Sequence, residues 1–335
     1  MNAPKVIDRD YIQFLIASPR VVSGTEAARV QPENGTEGPA HDAFTRLLHR
    51  LEPDPETLWK ESRTQVARRR GVLVADDSTL DKPYARHMEL VRRHWSGKHR
   101  RVVSGINLLT LLWSDGHRLI PVDYRIYDKA RDGKTNNDHF RELLETAYTR
   151  EFEPECVLFD SWYSALANLK AVRSYGWRWV TRLQCDRHVN PDGTGNRRLD
   201  ECAIAAEGTR VHLKGYGFIR VFRIVPKEGN TDDVEYWATG DETMSEETRK
   251  SYATLAWGIE QYHRGLKQYC AVERAQVRSA RAQRNHIGLS IRAFLRLERN
   301  RVATGTSWHE AKLSIIRDAV RAYLASPRFT LGATA

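Results

Sequence analysis

Glu260 is the residue of this chain whose surroundings most clearly allow chemistry. It lies between Trp257 and Lys267, in a segment whose apolar residues recur at helical spacing and predict an amphipathic helix. The apolar positions are Leu255, Ile259, Tyr262 and Leu266. Arg264 and Lys267 follow Glu260 by four and seven residues, so the three side chains form one polar stripe on the helix. One carboxylate beside two cations could hold a metal ion and a phosphate backbone together.

Two aspartates far upstream supply the other ligands of such a site. Asp76 follows the apolar run 71–75, Asp160 follows the apolar run 156–159, and both runs predict strands. If these strands are neighbours, both carboxylates point into one crevice, where Glu260 could complete the set. Three carboxylates are the hard oxygen ligands that Mg²⁺ prefers. Two such ions, about 4 Å apart, stabilise the attacking and leaving oxygens of a phosphoryl transfer.

The elements that must position these acids indicate an α/β fold. The early strands predict an antiparallel hairpin beside the first strand, and the later strands alternate with helices. The predicted strands are 71–75, 102–113, 119–127, 156–159 and 177–183, with helices at 138–150 and 164–175. Residues 185–245 alternate like further strands and predict a β-rich insertion. A second basic helix, at about 279–300, follows the helix of Glu260.

The N-terminal residues 1–70 are predicted to be helical, and they end in the basic triplet Arg68, Arg69 and Arg70. Several short helices with a basic end are typical of a helix-turn-helix-like DNA-binding region. An ordinary helical cap on the next domain would have the same pattern, and the residues alone leave both interpretations open.

Positive charge is concentrated near the C-terminal end. The chain carries a net charge of +10, and residues 249–301 contain twelve Lys and Arg against three Glu, a local balance of +9. Such a segment is typical of a surface that binds a polyanion. A solvated basic helical face is the alternative interpretation.

Several other classes of protein do not fit the sequence. No apolar run of 18 residues predicts a membrane span, and the N-terminus lacks the apolar core of a signal peptide, so we expect a cytoplasmic protein. No Gly-rich loop followed by Lys-Ser/Thr predicts ATP binding. Four residues could be imagined as a zinc site, but their spacing fits no common pattern. They are Cys185, His188, Cys202 and His212.

Three motifs give the chain a resemblance to a known family. They are Val74-Ala-Asp-Asp-Ser-Thr79 with Lys82, Val157-Leu-Phe-Asp-Ser-Trp-Tyr163, and Glu260 with Lys267 in the spacing Glu-x6-Lys. Over residues 71–300 the chain resembles prokaryotic DDE insertion-sequence transposases, in the insertion-sequence-4-like branch with a β-strand insertion before the final Glu. The resemblance implies an RNase H-like mixed sheet with flanking helices, a β-rich insertion and an N-terminal all-α DNA-binding region.

The resemblance also implies roles for individual residues. Asp76, Asp160 and Glu260 would be the catalytic acids and would bind two Mg²⁺ ions, for which Mn²⁺ can substitute. Asp77 is the alternative first acid, because both aspartates fit the pattern Asp-x-Ser/Thr; related sequences favour Asp76. The third motif departs from some relatives, which have Tyr and Arg where this chain has Ala253 and Ala256.

Further residues are expected to contact DNA. Trp237, in the insertion, would stack on a flipped base, although a half-buried strand Trp is the alternative interpretation. The expected DNA-binding residues are Lys267, Arg264, His263, Trp237, Arg68, Arg69, Arg70, Arg278, Arg281 and Arg284. The predicted domains are a helical DNA-binding domain, 1–70; the first part of the catalytic core, 71–184; the insertion, 185–245; the last core helices, 246–301; and a helical tail, 302–335.

The sequence therefore predicts a DNA transposase. It would cut transposon ends in double-stranded DNA and join them to target DNA, as a homodimer on DNA and without ATP. An RNase H-like nuclease or resolvase, which cuts but does not join, is the alternative enzyme. A DNA-binding descendant without catalysis is the alternative from another class.

Overall fold

The chain divides into two compact units. The computed structural model describes residues 4–32, 38–96, 101–225 and 234–328. Unit 1 contains Met1–Asp54, Lys82–Val91 and His263–Ala335, and unit 2 contains Pro55–Asp81 and Arg92–Tyr262. The division falls after Asp54, earlier than the domain boundary predicted at residue 70. Residues 226–233 of the predicted insertion and 329–335 of the predicted tail lie outside the described residues.

The described residues form helices and strands in the following order. The helices are α1 (Asp8–Ala17), α2 (Gly24–Arg29), α3 (His41–Arg50), α4 (Pro55–Ser62), α5 (Lys129–Asp132), α6 (Asn136–Thr149), α7 (Leu166–Ser174), α8 (Glu246–Tyr269), α9 (Ala280–Thr304) and α10 (Trp308–Ala325). The strands are β1 (Val72–Asp81), β2 (Arg92–Ser96), β3 (Arg101–Ser114), β4 (Leu119–Ile126), β5 (Cys156–Phe159), β6 (Trp179–Leu183), β7 (His188–Val189), β8 (Arg197–Arg198), β9 (Thr209–Leu213), β10 (Gly217–Ile224) and β11 (Glu235–Thr239). Short 3-10 helices span Ser161–Tyr163 and Leu199–Glu201.

Unit 2 is built on one mixed sheet. Strand β3 pairs antiparallel with β1 on one side and with β4 on the other, and β1, β5 and β6 are parallel neighbours. The first residues of β3 also pair with β2. The side chains of β5 and of the first half of β1 are buried, as expected of strands covered on both faces. The first strand and the strand before Asp160 are thus neighbours, which was the condition for Asp76 and Asp160 to meet in one crevice.

The β-rich insertion is not a separate sheet. Strand β11 pairs antiparallel with β6, β10 pairs with β11, and β9 pairs with β10, so these strands extend the main sheet. The sequence predicted the strands correctly, but their alternating pattern could not show which edge they would join, because pairing partners distant in sequence leave no periodic signal. Only β7 and β8 form a second small sheet among the described residues.

Unit 1 is helical, and its core includes a buried histidine. Helices α1 and α3 pack on α9. On α9, the His286 ring lies 3.0 Å from the Tyr11 hydroxyl at Nδ1 and 3.1 Å from the Ala271 carbonyl oxygen at Nε2. Because the carbonyl can only accept, Nε2 carries the proton and Nδ1 accepts from Tyr11. Burial lowers the pKa of His286 to about 3, so the ring is neutral. No helix in the described parts of the chain is long and apolar enough to cross a membrane.

Lys82, which belongs to the first sequence motif, is a buried residue of unit 1. Its Nζ donates to the carbonyl oxygens of Glu273 at 2.6 Å and Ala275 at 2.8 Å, in the segment that follows α8. Burial lowers its pKa to about 8, although Glu273 opposes this shift. Lys82 therefore fixes the chain after α8 through two charge-assisted hydrogen bonds.

We expect Lys82→Met to destabilise the protein measurably. The substitution removes the donor from two carbonyls, and a buried polar group that loses its partner costs about 1–3 kcal/mol. Urea unfolding of the full chain would measure the change, with Lys60→Met as a control because Lys60 is exposed on α4. Equal unfolding midpoints for the two variants would contradict this role for Lys82.

Candidate active site

The sheet brings Asp76 and Asp160 to adjacent positions. The parallel pairing of β1 and β5 ends with Ala75 opposite Phe159, and each aspartate is the next residue along the chain. The sequence predicted that Asp76 lies just past the end of its strand. Strand β1 instead continues to Asp81, so Asp76 lies inside the strand. The strand is longer because β3 continues to pair with it where β5 has stopped.

Glu260 lies on α8, in the part of the helix that belongs to unit 2. Its side chain is exposed, while Ile259 and Tyr262 are buried, as the helical pattern predicted. Gly258 allows the helix to approach β4 closely, because a Cβ at this position would lie 2.8 Å from a methyl carbon of Leu119. The helix therefore places Glu260 on the solvent side of a close helix–sheet contact.

Asp76 is the acid on which the charges of the other two candidate acids both act. Burial raises the pKa of Asp76 well above its usual value, and the charges of Asp160, Asp77 and Glu260 raise it further. Burial also raises the pKa of Asp160, followed by the charge of Asp77, and the Trp162 backbone N–H opposes this shift. Like charges held close together favour a bound cation. Asp160 and Glu260 are thus both within electrostatic reach of Asp76.

Asp160 is held by the turn that follows it. Its Oδ1 accepts from the Trp162 backbone N–H at 2.9 Å, so Asp160 is the N-cap of the 3-10 helix Ser161–Tyr163. Its carbonyl oxygen accepts from the Thr181 hydroxyl, on β6, at 3.0 Å. These contacts leave the second carboxylate oxygen of Asp160 outside the capping interaction.

Asp77 has a different environment from Asp76. The hydroxyl of Tyr163 donates to its Oδ1 at 2.7 Å, and the side-chain amide of Asn107 donates to its Oδ2. Tyr163 is fully buried and stacks on Phe140 with ring centroids 5.1 Å apart. Both oxygens of Asp77 are therefore engaged by protein donors.

The sequence prediction missed Asn107 and the hydroxyl contact of Tyr163. Asn107 is a buried polar residue inside the long apolar strand β3. That interruption of an apolar run was the available signal, because buried polar side chains are hydrogen-bonded in folded proteins. Tyr163 was part of a quoted motif, but a motif does not indicate where a hydroxyl will point.

The donor chemistry of the site fits a divalent cation. Asp76, Asp160 and Glu260 offer carboxylate oxygens alone, which are ligands for Mg²⁺ or Mn²⁺ rather than for softer metals. In the described ranges, no group of three or more His, Cys, Asp or Glu side chains is already gathered closely enough to hold a metal ion. That statement includes Cys185, His188, Cys202 and His212, whose zinc site the spacing had not favoured.

The helix of Glu260 also carries three of the expected DNA-binding residues. Arg264 is exposed, and Lys267 lies 3.2 Å from the carboxylate of Glu273 in an ion pair. His263 is buried in unit 1, and burial, followed by the charge of Lys267, lowers its pKa to about 3. The expectation that His263 contacts DNA is not supported, because a buried neutral ring presents neither charge nor surface to a phosphate.

The triplet Arg68, Arg69 and Arg70 is exposed in unit 2. Arg68 pairs with Glu151 at 2.8 Å, and Arg69 lies 3.5 Å from the carboxylate of Glu153. The three arginines line a cavity of about 360 Å³ together with Ala67 and Glu151. Its basic lining is partly neutralised, so the triplet is less positive than the sequence suggested.

The C-terminal basic segment is also partly neutralised within unit 1. Arg281 pairs with Glu52, and two further arginines, Arg292 and Arg301, pair with Asp8 and Glu298. Arg278 is exposed, and Arg284 is half-buried. The local balance counted in the sequence therefore overstates the positive charge that this surface offers, because helix packing created ion pairs with residues distant in sequence.

Trp237, expected to stack on a base, is half-buried on β11. Its indole N–H donates to the carboxylate of Glu235 at 2.8 Å. The guanidinium groups of Arg182 and Arg249 lie 6.0 and 5.8 Å from its ring. Trp237 therefore has the environment of a half-buried strand residue, which was the alternative interpretation of the sequence. Part of its ring remains accessible.

We expect Asp76→Asn to stabilise the protein against heat at neutral pH in the presence of a chelator. Because the pKa of Asp76 is raised in the folded state, its ionisation opposes folding. The difference from wild type should be absent below the unfolded value of 3.8 and grow as the pH rises through the folded pKa. Each kcal/mol gained raises the Tm by about 2–4 °C. Calorimetry at pH values below 3.8 and near neutrality would measure the Tm difference from wild type, with the exposed Asp186→Asn as control. An equal stabilisation in both variants would contradict the prediction for Asp76.

A solved structure shares this fold. The chain superposes on the piggyBac transposase of a synaptic complex with hairpin DNA with a TM-score of 0.51 and 12% identity, over 98% of this chain and 74% of that chain. The likeness confirms the RNase H-like fold expected from the motifs. The Mos1 strand transfer complex is 13% identical over 53% of this chain and 58% of that chain, but its TM-score of 0.20 supports no conclusion. No curated protein has a sequence that significantly matches this chain.

The sequence also matches a family over most of its N-terminal and central parts. Residues 9–198 match the family described as DDE superfamily endonuclease. The match covers more than half of the 335 residues and includes both Asp76 and Asp160. The chain belongs to the DDE superfamily endonuclease family.

Proposed function

We propose that this protein is a DNA transposase of a prokaryotic insertion sequence, which cuts transposon ends and joins them to target DNA. Asp76, Asp160 and Glu260 are the catalytic acids of the proposal. The observation that carries it is the position of Asp76, which lies beside Asp160 on parallel strands and within electrostatic reach of Glu260. Membership of an endonuclease family supports the cutting step.

The proposed reaction needs acids held in place more than it needs reactive side chains. Two divalent ions, when bound, activate water and stabilise the oxygens that attack and leave the phosphorus. The chain's own residues hold these ions and orient them. Asp76 is fixed by the pairing of β1 with β3, and Asp160 is fixed as the N-cap of its turn. Glu260, exposed on α8, contributes a ligand from the solvent side of the site.

Basic side chains on the same chain are proposed to hold the DNA. Exposed Arg264 and Arg278, together with Lys267, would contact phosphates near the cut, and the Arg68–Arg70 triplet would add a second contact region. A phosphate would compete with Glu273 for Lys267 and with Glu151 for Arg68. Because two transposon ends must be brought together, we propose that a homodimer assembles on DNA inside the prokaryotic cytoplasm, at the nucleoid.

The test uses purified full-length protein, Mg²⁺ or Mn²⁺, and labelled duplexes made from the DNA that flanks the gene, with a plasmid as target. Nicking at a defined position that requires the metal, followed by joining to the plasmid, is the expected result. Cutting without joining would favour a nuclease or resolvase. Binding without cutting in either metal would refute the enzymatic proposal and favour a DNA-binding descendant.

A further inference from the structure

We propose that Asp77 is a positioning residue, and that through Tyr163 and Asn107 it fixes the distance between the two catalytic aspartates. The inference rests on the proposed function, since it concerns the acids assigned there. It resolves the choice between Asp76 and Asp77 that the sequence pattern left open.

The bridge begins at the turn that carries Asp160. The backbone N–H of Tyr163 donates to the Asp160 carbonyl oxygen at 3.2 Å, and the side-chain amide of Asn168 donates to the Tyr163 carbonyl oxygen at 3.0 Å. The Tyr163 ring is fully buried against Phe140, with an angle of 17° between the ring planes. The ring is therefore held on all sides, and its hydroxyl has a defined direction.

That hydroxyl ends on the strand that carries Asp76. It donates to Asp77 Oδ1 at 2.7 Å, so the turn after Asp160 is tied to the residue that follows Asp76. An ionised carboxylate can only accept hydrogen bonds, so the tyrosine hydroxyl is the donor. The contact is a hydrogen bond to a carboxylate, one of the stronger kinds in proteins.

A second donor fixes the other oxygen of Asp77. The side-chain amide of Asn107, buried on β3, donates to Asp77 Oδ2. Strand β3 pairs with β1 along the whole length of β1, so Asn107 ties Asp77 to a second rigid element. Both oxygens of Asp77 therefore accept from buried protein donors, which suits a residue that holds its neighbours in place.

From these contacts we assign different roles to Asp76 and Asp77. Asp76 directly follows the last residue pair of β1 and β5, so it lies beside Asp160, where the two carboxylates can share a metal ion. Asp77 receives two hydrogen bonds, which is the environment of a residue that orients ligands. Removing such a supporting partner typically costs about 10–100-fold in metal affinity.

The first test replaces Tyr163 by Phe in the full-length protein. This change keeps the buried ring and removes only the hydroxyl that reaches Asp77. We expect faster amide hydrogen exchange in the segment Asp160–Ser164 without metal, and about 10–100-fold weaker Mn²⁺ binding by calorimetry. Tyr216→Phe is the matched control, because its hydroxyl is also buried and hydrogen-bonded, at 2.8 Å from the Trp179 indole nitrogen. Equal exchange and Mn²⁺ affinity in the two variants would overturn the proposal.

The second test compares Asp76→Asn with Asp77→Asn, two identical changes at neighbouring positions. We expect Asp76→Asn to remove Mn²⁺ binding at the site, and Asp77→Asn to weaken it about as much as Tyr163→Phe. The double variant of Asp77 and Tyr163 should be no worse than Asp77→Asn alone, because both changes break one interaction. Loss of binding in Asp77→Asn with retention in Asp76→Asn would reverse the assignment. Wild-type protein that binds Mn²⁺ but does not cut DNA would overturn the proposed function and leave this inference standing.

Discussion

Replacing Asp160 by Asn leaves a protein that binds DNA but cuts it roughly a thousandfold more slowly, or not at all. A metal-bound site contributes several kcal/mol of charge stabilisation to phosphoryl transfer, and about 1.4 kcal/mol corresponds to a factor of ten in rate. The substitution keeps the size of the side chain and its capacity to accept from the Trp162 backbone N–H, so the turn after Asp160 should survive. Only the charge that would bind the metal is removed.

The measurement is the initial rate of nicking of a labelled transposon-end duplex, with affinity measured separately on the same DNA. We expect affinity to stay similar or rise, because the change removes one negative charge near a polyanion. Asp186→Asn is the control, since this aspartate is exposed in the same unit and the chemical change is the same. If Asp160→Asn cut at the wild-type rate, the assignment of the site would be wrong.

Glu260 allows the same experiment on a helix. Glu260→Gln should lose cutting in the same way, and Glu247→Gln, an exposed residue of the same helix α8, should not. Parallel losses at Asp160 and Glu260 would indicate that residues on a strand end and on a helix act on one reaction. A loss at only one of them would indicate that the other has a different role.

The residues that could be predicted from the sequence are those with a local signal. The apolar runs before Asp76 and Asp160 gave both strands, and the helical spacing around Glu260 gave the buried positions Ile259 and Tyr262. The basic stripe of Arg264 and Lys267 also followed from spacing. In each case the pattern repeats within a few residues, so the sequence carries it without any knowledge of the fold.

The features that could not be predicted depend on partners distant in sequence. The burial of His263 and Lys82, the ion pair of Arg281 with Glu52 and the extension of the sheet by β11 all arise from packing between separated segments. The bridge from Tyr163 to Asp77 spans 86 residues. Charge counted along a segment therefore overestimates its free charge, because the fold supplies counterions that the count ignores.

DNA affinity should fall steeply with salt. A protein that contacts about six to ten phosphates loses about 10³–10⁵-fold in affinity between roughly 50 and 200 mM salt, because binding releases counterions from the DNA. The net charge of +10 and the exposed Arg264 and Arg278 favour such a response. The internal pairs of Arg281 and Arg292 reduce it, since those cations already have carboxylate partners. We therefore expect a loss of about a thousandfold, near the lower end of this range.

Single substitutions test which cationic side chains cause the salt dependence of DNA affinity. Arg264→Gln and Arg278→Gln should each lower the slope of log affinity against log salt by about one, with little change in sequence preference. Arg210→Gln is the control, because this exposed arginine on β9 is not among the residues expected to bind DNA, and it pairs with Glu242. Fluorescence anisotropy across a salt series would give all four slopes. A flat response in the wild-type protein, or unchanged slopes in both test variants, would show that these side chains do not contact the phosphates, and DNA binding would then have to be sought at the Arg68–Arg70 triplet.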